Sequence, residues 1–217
     1  MNGFFVSFEG PDGSGKSTVL HRVLTQLASE IRPPYLVTRE PGGSEIAEAI
    51  RQVILEPNYV AMTARTEALL YAAARSQHLT EVVRPALQAG KLVISDRYLD
   101  SSLAYQGAGR GLGIEAVEAI NQFATAGLLP DLTILLDLKP QVGLARIQKL
   151  RPQAEDRMEQ EQLAFHQRVY QGYHQLAQRD SQRIKVVDAS QPIEVVTQAV
   201  IQVLRRNLPT LFKDQDD

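Results

Sequence analysis

Five short apolar segments recur along the chain, separated by stretches with apolar positions at helical spacing. The first segment, Phe4–Glu9, is rich in aromatic and β-branched residues and leads into a helical pattern from Val19 to Leu27. The other four are Tyr35–Thr38, Leu92–Asp96, Leu132–Asp137 and Ile184–Asp188. Continuous apolar character indicates strands buried on both faces, as in a parallel sheet. The alternation predicts an α/β fold, in which a five-stranded parallel sheet is flanked by helices.

The pattern has no internal repeat, low-complexity tract or interdomain linker. A length of 217 residues suits one α/β domain, so we expect a single domain over residues 1–217. The two longest helices are predicted over Thr63–Ala89 and Glu159–Ala177. We interpret the glycine-rich stretch Gly107–Gly113 as a flexible connection.

The most specific motif directly follows the first strand. It fits Gly-x-x-x-x-Gly-Lys-Ser/Thr at every fixed position and reads Gly10, Pro11, Asp12, Gly13, Ser14, Gly15, Lys16, Ser17, Thr18. Glycines let the backbone curve around an anion, and the positive end of the next helix faces the same point. Lys16 can bridge the outer phosphates of a nucleoside triphosphate, and Ser17 can ligate Mg²⁺. A glycine-rich structural turn is the alternative, but both flanks favour nucleotide binding.

Charged residues follow two further strands, at the edge where the loop lies. Arg39 and Glu40 lead into a Pro-Gly-Gly turn, which puts them on a shaped loop beside the phosphate site. Asp96 ends the third strand, where it can hold Mg²⁺ directly or through water. Arg97 can bridge donor and acceptor phosphates and stabilise charge during transfer. Incidental surface ion pairs are the alternative reading for both sites.

The first long helix carries Tyr71 and Arg75, which share a face because they are four residues apart. An aromatic ring and a guanidinium at this spacing can stack a base and hold a phosphate. Periodicity alone favours core packing for Tyr71 and a surface role for Arg75. His78 has no evident partner, and we interpret it as structural. The polar segment Asp100–Gly107 is suited to reading the edge of a base.

Positive charge is concentrated between two helices, just before the predicted helix Glu159–Ala177. Its carriers are Arg146, Lys149, Arg151 and Arg157, in a segment interrupted by Pro152. A basic flap of this kind suits a lid that closes over a triphosphate, and we expect the lid at about residues 147–158. A solvated helix end is the alternative.

Composition narrows the classes of partner. The net charge of −2 argues against nucleic-acid binding, so a basic cluster would serve a small anion. The chain has no cysteine, which excludes disulfides and thiolate metal sites and fits a reducing compartment. The first strand begins almost at Met1, and no apolar run approaches the length of a membrane helix. We therefore expect a cytoplasmic protein that does not bind a membrane.

Together these stretches resemble the thymidylate kinase (dTMP kinase) family over nearly the whole chain. The residues that carry the resemblance are Glu9–Thr18, Thr38–Gly43, Tyr71–Arg75, Asp96–Tyr98, Ser101–Gln106, Pro130–Thr133, Asp156–Arg157 and Glu159–Glu161. The resemblance implies the P-loop nucleoside monophosphate kinase fold with a short basic lid. It also implies phosphoryl transfer from ATP and Mg²⁺ to dTMP, giving dTDP and ADP for dTTP biosynthesis. The family is usually homodimeric, with the first long helix at the interface.

The resemblance also assigns roles to individual residues. The residues implied to surround the acceptor phosphate are Arg39, Arg51, Arg75 and Arg97. Those implied to contact the nucleoside are Tyr71, which would stack on thymine, Arg75, Ser102 and Gln106, which would read the base, Tyr105, which would lie near the deoxyribose, and Glu40, which would line the site. The implied catalytic set is Lys16, Asp96, Arg97 and Arg151, with Ser17 and Asp96 at the metal.

One position separates two subtypes of the family. Some members carry an arginine in the phosphate loop directly after its acidic residue, whereas this chain has Gly13 after Asp12. The chain therefore resembles the bacterial subtype, which supplies catalytic positive charge from the lid. Both Lys149 and Arg151 could provide it, and we favour Arg151.

Two other functions remain open from the residues. A kinase for a different nucleoside monophosphate would use the same loop and arginines, and tolerance of dUMP is not decided by side-chain types. A nucleotide-dependent switch would also bind a triphosphate, but the chain has no Asn-Lys-x-Asp motif for reading guanine.

Overall fold

A computed structural model describes residues 3–150, 157–158 and 160–213. In this part of the chain, a five-stranded parallel sheet has the order β2-β3-β1-β4-β5. The strands are β1 (Phe4–Glu9), β2 (Tyr35–Arg39), β3 (Leu92–Asp96), β4 (Leu132–Asp137) and β5 (Ile184–Asp188). The predicted α/β class is confirmed, and β2 is the one strand whose bounds differ, since it includes Arg39.

Helices cover both faces of the sheet. They are α1 (Lys16–Leu27), α2 (Glu45–Leu55), α3 (Ala64–His78), α4 (Arg84–Gln88), α5 (Leu99–Ser102), α6 (Ile114–Thr125), α7 (Pro140–Leu150), α8 (Leu163–Arg179) and α9 (Ile193–Asn207). Successive residues of β1 point to opposite faces. Val6 and Phe8 pack in one core with α1 and α9, whereas Phe5 packs in a second core with α8.

The two edge strands, β5 and β2, depart from the prediction of strands buried on both faces. In β5, Val186 is 47% exposed. Strand β2 lies at the other edge, and Tyr35 and Val37 are 43% and 45% exposed. Its alternate residues are half-buried, so it has the pattern of a strand covered on one side.

The long helices also differ from their predicted bounds. Thr63 caps α3 by accepting a hydrogen bond from Thr66 N, but the predicted single helix contains a π-helical stretch, Leu79–Val83. Pro85 follows this stretch and has no N–H to continue regular α-helical bonding. Helix α8 begins at Leu163, later than predicted.

The first part of the predicted glycine-rich connection, Gly107–Gly109, is helical, and only residues 110–113 form an irregular connection to α6. Residues Leu103–Gly109 form a buried π-helical turn against α8. A Cβ atom at Gly109 would lie 2.8 Å from atoms of Phe165 and Val169, so the glycine permits close packing.

Strand register brings the predicted site residues to one edge. Phe8 of β1 pairs with Asp96 of β3, and Arg39 of β2 pairs with Asp96 from the other side. Because all strands are parallel, the loops that follow β1, β2 and β3 meet at their carboxyl ends. The glycine loop therefore lies beside the Arg39–Glu40 turn and beside Arg97.

Candidate active site

The glycine loop encloses the Lys16 side chain. Its ammonium group donates hydrogen bonds of 3.0 Å to the carbonyls of Gly10 and Pro11. Burial, followed by the nearby Arg97 charge, lowers the pKa of Lys16 from 10.5 to about 8. The amine is thus held among carbonyl groups at the start of α1, where an incoming phosphate would meet both the amine and the helix N-terminus.

The loop makes a close backbone contact with α7. Gly13 has a φ of +74°, and a Cβ atom there would lie 2.2 Å from the carbonyl oxygen of Gly143. A Cβ atom at Gly143 would lie equally close, 2.2 Å, to the carbonyl oxygen of Asp12. Both positions therefore exclude any side chain while α7 keeps this place.

Ser17 and Asp96 are adjacent at the mouth of the loop. The Ser17 hydroxyl donates a 2.5 Å hydrogen bond to Oδ2 of Asp96. A hydroxyl and a carboxylate are hard oxygen ligands, so the pair fits Mg²⁺, which usually takes one or two protein oxygens together with phosphates and water. Within the described ranges, there is no cluster of three or more His, Cys, Asp or Glu residues that could hold a metal without a substrate.

Arg97 is held by groups from several elements. Its Nη1 donates to Gly10 O at 3.1 Å, Ser101 Oγ at 3.0 Å and the Tyr173 hydroxyl at 3.2 Å. Its backbone has a φ of +71°, which is uncommon for a residue other than glycine and costs about 1 kcal/mol or more. The surrounding contacts therefore fix a strained residue in one orientation.

Asp12 faces Arg97 rather than only the triphosphate side of the loop. Its Oδ1 pairs with Nη2 of Arg97, and its Oδ2 accepts a 2.6 Å hydrogen bond from the Tyr105 hydroxyl. Burial alone would raise the pKa of Asp12, but the charges of Arg97 and Lys16 outweigh it and keep that pKa below its usual value. The prediction from sequence gave Asp12 only a phosphate-binding role and missed this contact.

Two cavities meet at these residues. The loop cavity, of about 350 Å³, is lined by the glycine loop, Ser17, Arg39 and Asp96. The inner cavity, of about 90 Å³, is lined by Tyr71, Tyr105 and Gln106. The residues that line both cavities are Asp12, Glu40, Arg51 and Arg97. The loop cavity can hold a phosphate chain, and the inner cavity, which is too narrow for a nucleotide as it stands, opens beside it with Arg97 between the two.

Two further predicted phosphate-binding arginines, Arg39 and Arg51, lie beside the glycine loop. Arg39 is half-exposed and makes a two-pronged ion pair with Glu48 at 2.9 Å. Arg51 donates a 2.8 Å hydrogen bond to the carbonyl of Pro41. Both side chains line the loop cavity.

Arg75 lies deeper than its predicted role would suggest. Its side chain is 2% exposed, and it donates to Glu40 Oε2 at 2.7 Å and to Ser102 Oγ at 3.0 Å. It is not among the residues that line either cavity, so it supports the wall of the inner cavity through Glu40. Its proposed contact with a base or phosphate remains a prediction.

His78 has partners that sequence reasoning did not find. Its Nδ1 lies 2.9 Å from Glu40 Oε1, and its Nε2 lies 2.7 Å from the Thr38 hydroxyl. The imidazole is fully buried, which agrees with the interpretation of His78 as a structural residue. The expectation that it has no partner was wrong. Glu40 is thus held from both sides, by Arg75 and by His78.

A second buried carboxylate, Glu67, was missed entirely. It accepts a 2.9 Å hydrogen bond from the Gln106 amide and pairs with Arg110 at 2.9 Å. Arg157 Nη2 lies 2.7 Å from the same carboxylate, and Arg157 is buried. This burial argues against a solvated helix end as the setting of Arg157. An acid three residues into a helix looks like an ordinary helix-start residue in the sequence, and only the fold places it under Gln106.

The predicted lid is described only in part. Lys149 is exposed near the end of α7. Arg151, the favoured lid residue, lies outside the described residues, as do the other residues of 151–156. The choice between Lys149 and Arg151 therefore remains a prediction.

Comparisons with known proteins show the family of the chain. A family model described as thymidylate kinase matches residues 8–200. The thymidylate kinase of Lactobacillus helveticus is 60% identical over 212 residues, covering 98% of this chain and 100% of that protein. The thymidylate kinase of Enterococcus faecalis is 53% identical, with the same two coverages, and that of Lactiplantibacillus plantarum is 50% identical over 97% of this chain and 95% of its own. Within the described residues, no helix combines the length and apolar character needed to span a membrane.

Proposed function

The chain belongs to the thymidylate kinase family, and we propose how its residues carry out that family's reaction. The enzyme transfers the γ-phosphoryl group of ATP to dTMP, giving dTDP and ADP in nucleotide biosynthesis. The observation that carries the proposed roles is that two cavities of unequal size share Arg97 and Asp12. ATP phosphates occupy the loop cavity in this proposal, and dTMP occupies the inner cavity.

On the donor side, the glycine loop of residues 10–18 binds the ATP phosphates through its N–H groups. Lys16 leaves the carbonyls of Gly10 and Pro11 to contact the outer phosphates. Ser17 and Asp96 hold Mg²⁺, which when bound neutralises charge on the phosphates. Their close hydroxyl–carboxylate contact supports this role.

On the acceptor side, the inner cavity binds the nucleoside. Tyr71 stacks on thymine, and Tyr105, fixed by its bond to Asp12, lies near the deoxyribose. Gln106 and Ser102 read the base edge, with Gln106 held by Glu67 and Ser102 held by Arg75, while Glu40 lines the wall of the cavity. The buried partners of these side chains fix the wall of the site, but its cavity of about 90 Å³ must widen to admit dTMP, since ligand pockets usually measure about 300 Å³ or more.

The reaction needs positioning more than proton transfer, because the nucleophile is an ionised phosphate oxygen of dTMP. Arg39, Arg51 and Arg97 surround that phosphate in this proposal. Arg97 stabilises the charge that spreads over the transferred group, and such an arginine can be worth about 10³-fold or more. A lid residue, for which we favour Arg151 over Lys149, adds positive charge from the other side.

The test is ADP formation from ATP and Mg²⁺ with a panel of acceptors: dTMP, dUMP, dCMP, UMP, CMP, AMP and GMP. We expect a strong preference for dTMP, with dUMP weaker by about tenfold because it lacks one methyl group. Replacing Arg97 by Ala should lower kcat by about 10³-fold. Activity of that variant within about twofold of wild type would contradict the proposed role of Arg97.

We also propose that the enzyme is a homodimer. Apolar side chains remain exposed on neighbouring helices, with Leu69 of α3 at 56%, Phe123 of α6 at 93% and Ile46 of α2 at 51%. Such a face is typical of a surface that another protein covers, and the family supports a second copy as that protein. Light scattering should give a dimer mass for wild type and a monomer mass for Phe123→Glu. The control Val195→Glu, on α9, should stay dimeric.

The proposal further includes one kinase domain over residues 1–217, a lid at about 147–158 and a cytoplasmic location. Limited proteolysis tests the first two, since ATP with dTMP should protect a cleavage site inside the lid and no fragment should fold alone. Cell fractionation tests the location, which the use of ATP as donor supports.

A further inference from the structure

Glu9, the last residue of β1, is a buried carboxyl group to which the roles above assign no task. Its side chain is fully buried. Oε1 accepts a 2.7 Å hydrogen bond from the backbone N–H of Tyr98. Oε2 accepts from the Ser101 hydroxyl at 2.6 Å and from the Tyr173 hydroxyl at 2.9 Å. Burying a carboxyl group costs free energy of folding, so a buried carboxyl group with this set of contacts needs an explanation.

The two hydroxyls that contact Glu9 also contact Arg97. Ser101 Oγ and the Tyr173 hydroxyl accept from Arg97 Nη1 at 3.0 Å and 3.2 Å. A hydroxyl has one proton and two lone pairs. When both protons point to the Glu9 carboxylate, the lone pairs of both oxygens are available to the guanidinium. The carboxylate therefore sets the direction of the hydroxyl groups that hold Arg97.

We propose that Glu9 is a positioning residue for phosphoryl transfer, acting on Arg97 through the hydroxyl groups of Ser101 and Tyr173. This inference rests on the proposed role of Arg97 between the two substrates. When Glu9 is protonated, its own proton needs an acceptor, and one hydroxyl must turn its proton away from Glu9. That proton can turn to the other hydroxyl, since Ser101 Oγ and the Tyr173 hydroxyl are 2.9 Å apart. Both oxygens then accept from Arg97 without the polarisation that the carboxylate supplies, so they hold the guanidinium less firmly.

The surroundings of Glu9 bring its ionisation into the working range. Burial, followed by the charge of Asp100, raises the pKa of Glu9 from 4.5 to about 7. The charged and titratable groups that face it are Asp100, Arg97, Lys16 and Tyr173. Asp100 is itself held by Arg183, at 2.6 Å. Arg97 acts against the increase, but does not cancel it.

Replacing Glu9 by Gln tests the inference because the amide cannot satisfy all the contacts. If its oxygen accepts from the hydroxyls, its NH₂ faces the N–H of Tyr98; if it is turned round, the NH₂ faces the hydroxyls. We expect kcat to fall by about 10- to 100-fold, as for a misplaced catalytic group. Tyr173→Phe should lower kcat by a smaller factor, since it removes one of the two hydroxyl groups and keeps the ring. The control Tyr170→Phe, on the same helix with its hydroxyl near Asp137, should not lower kcat.

The pH dependence of kcat and a double variant separate positioning from a general loss of structure. In wild type, kcat should decrease as pH falls through about 7, and Glu9→Gln should lack that part of the decrease. Ionisation of the substrate phosphates contributes equally to both enzymes. In an Arg97→Ala background, Glu9→Gln should cause no further decrease of kcat, because Glu9 acts through Arg97.

The outcomes separate a failure of the role proposed for Glu9 from a failure of the role proposed for Arg97. If Arg97→Ala reduces kcat but Glu9→Gln stays within about twofold of wild type with the same pH profile, the inference is wrong and the role of Arg97 stands. If Arg97→Ala itself stays within about twofold, both fail. If Glu9→Gln does not fold, equal rates for Tyr173→Phe and Tyr170→Phe would overturn the inference.

Discussion

Glu9 also predicts how the stability of the protein depends on pH. Its pKa is raised from 4.5 to about 7, so the folded protein retains a proton that the unfolded chain has released between these pH values. The stability that this group contributes is fully present below about pH 4.5 and is lost as pH rises through about 7. At about 1.4 kcal/mol per pH unit, the window corresponds to about 3 kcal/mol.

Glu9→Gln removes this titration, so it isolates the effect. We expect the difference in unfolding free energy between the variant and wild type to shift in favour of the variant by about 2–3 kcal/mol from about pH 5 to about pH 8. Urea unfolding at several pH values, at one protein concentration because a dimer is expected, measures the difference. The control is Glu30→Gln, a surface carboxylate paired with Arg205, whose difference should change by less than about 1 kcal/mol.

A constant difference for Glu9→Gln across the pH range would refute the reasoning, since it would mean that Glu9 has the same pKa in the folded and unfolded states. The expected change in stability is also related to the catalytic rate. Above neutral pH the enzyme would keep a destabilising charge whose benefit is the orientation of Arg97, and stability and rate would then change in opposite directions at one residue.

Three further outcomes are expected. Because the pKa of Lys16 is lowered to about 8 and only its charged form attracts phosphate, calorimetry should show weaker ATP binding as pH rises above about 8; unchanged binding up to about pH 9.5 would contradict this. Gly43→Ala should lower the unfolding free energy by about 2 kcal/mol or more, since φ is +86° and the new Cβ would lie 2.6 Å from His78, whereas Gly90→Ala, with a similar φ and open space, should cost about half as much. Glu40→Gln should cost about 3–5 kcal/mol in thermal unfolding because it leaves a buried guanidinium without its carboxylate, and a loss below about 1 kcal/mol would count against that pairing.

Local chemistry made much of the fold predictable. Strands β1, β3, β4 and β5 have the predicted bounds because apolar runs end at polar residues on the sheet edge. The glycine loop was predictable because its task requires residue types at fixed spacing. In contrast, the exposure of β2 depends on its place in the sheet order, which local sequence does not encode.

The sequence predicted which residues lie together at the site, but it did not predict the hydrogen-bond and ion-pair partners of each residue. Asp96 ends strand β3 and Arg97 follows it, so the topology determines where both residues lie. The partners of His78, Glu67 and Arg157 come from segments distant in sequence, and each residue alone resembles an ordinary helix or loop residue. The resemblance to the family supplied the roles of Tyr71, which periodicity alone would have assigned to core packing.

The contact between Gly13 and Gly143 bears on how the two subtypes of this family could interconvert. An arginine at position 13 would require a Cβ where the Gly143 carbonyl now lies, 2.2 Å away. A single substitution in the loop would therefore push α7 outward before the new guanidinium could reach a phosphate. Since α7 leads toward the proposed lid, the change would disturb one source of positive charge while adding the other. Exchanging Gly13 for arginine therefore calls for a compensating change in α7.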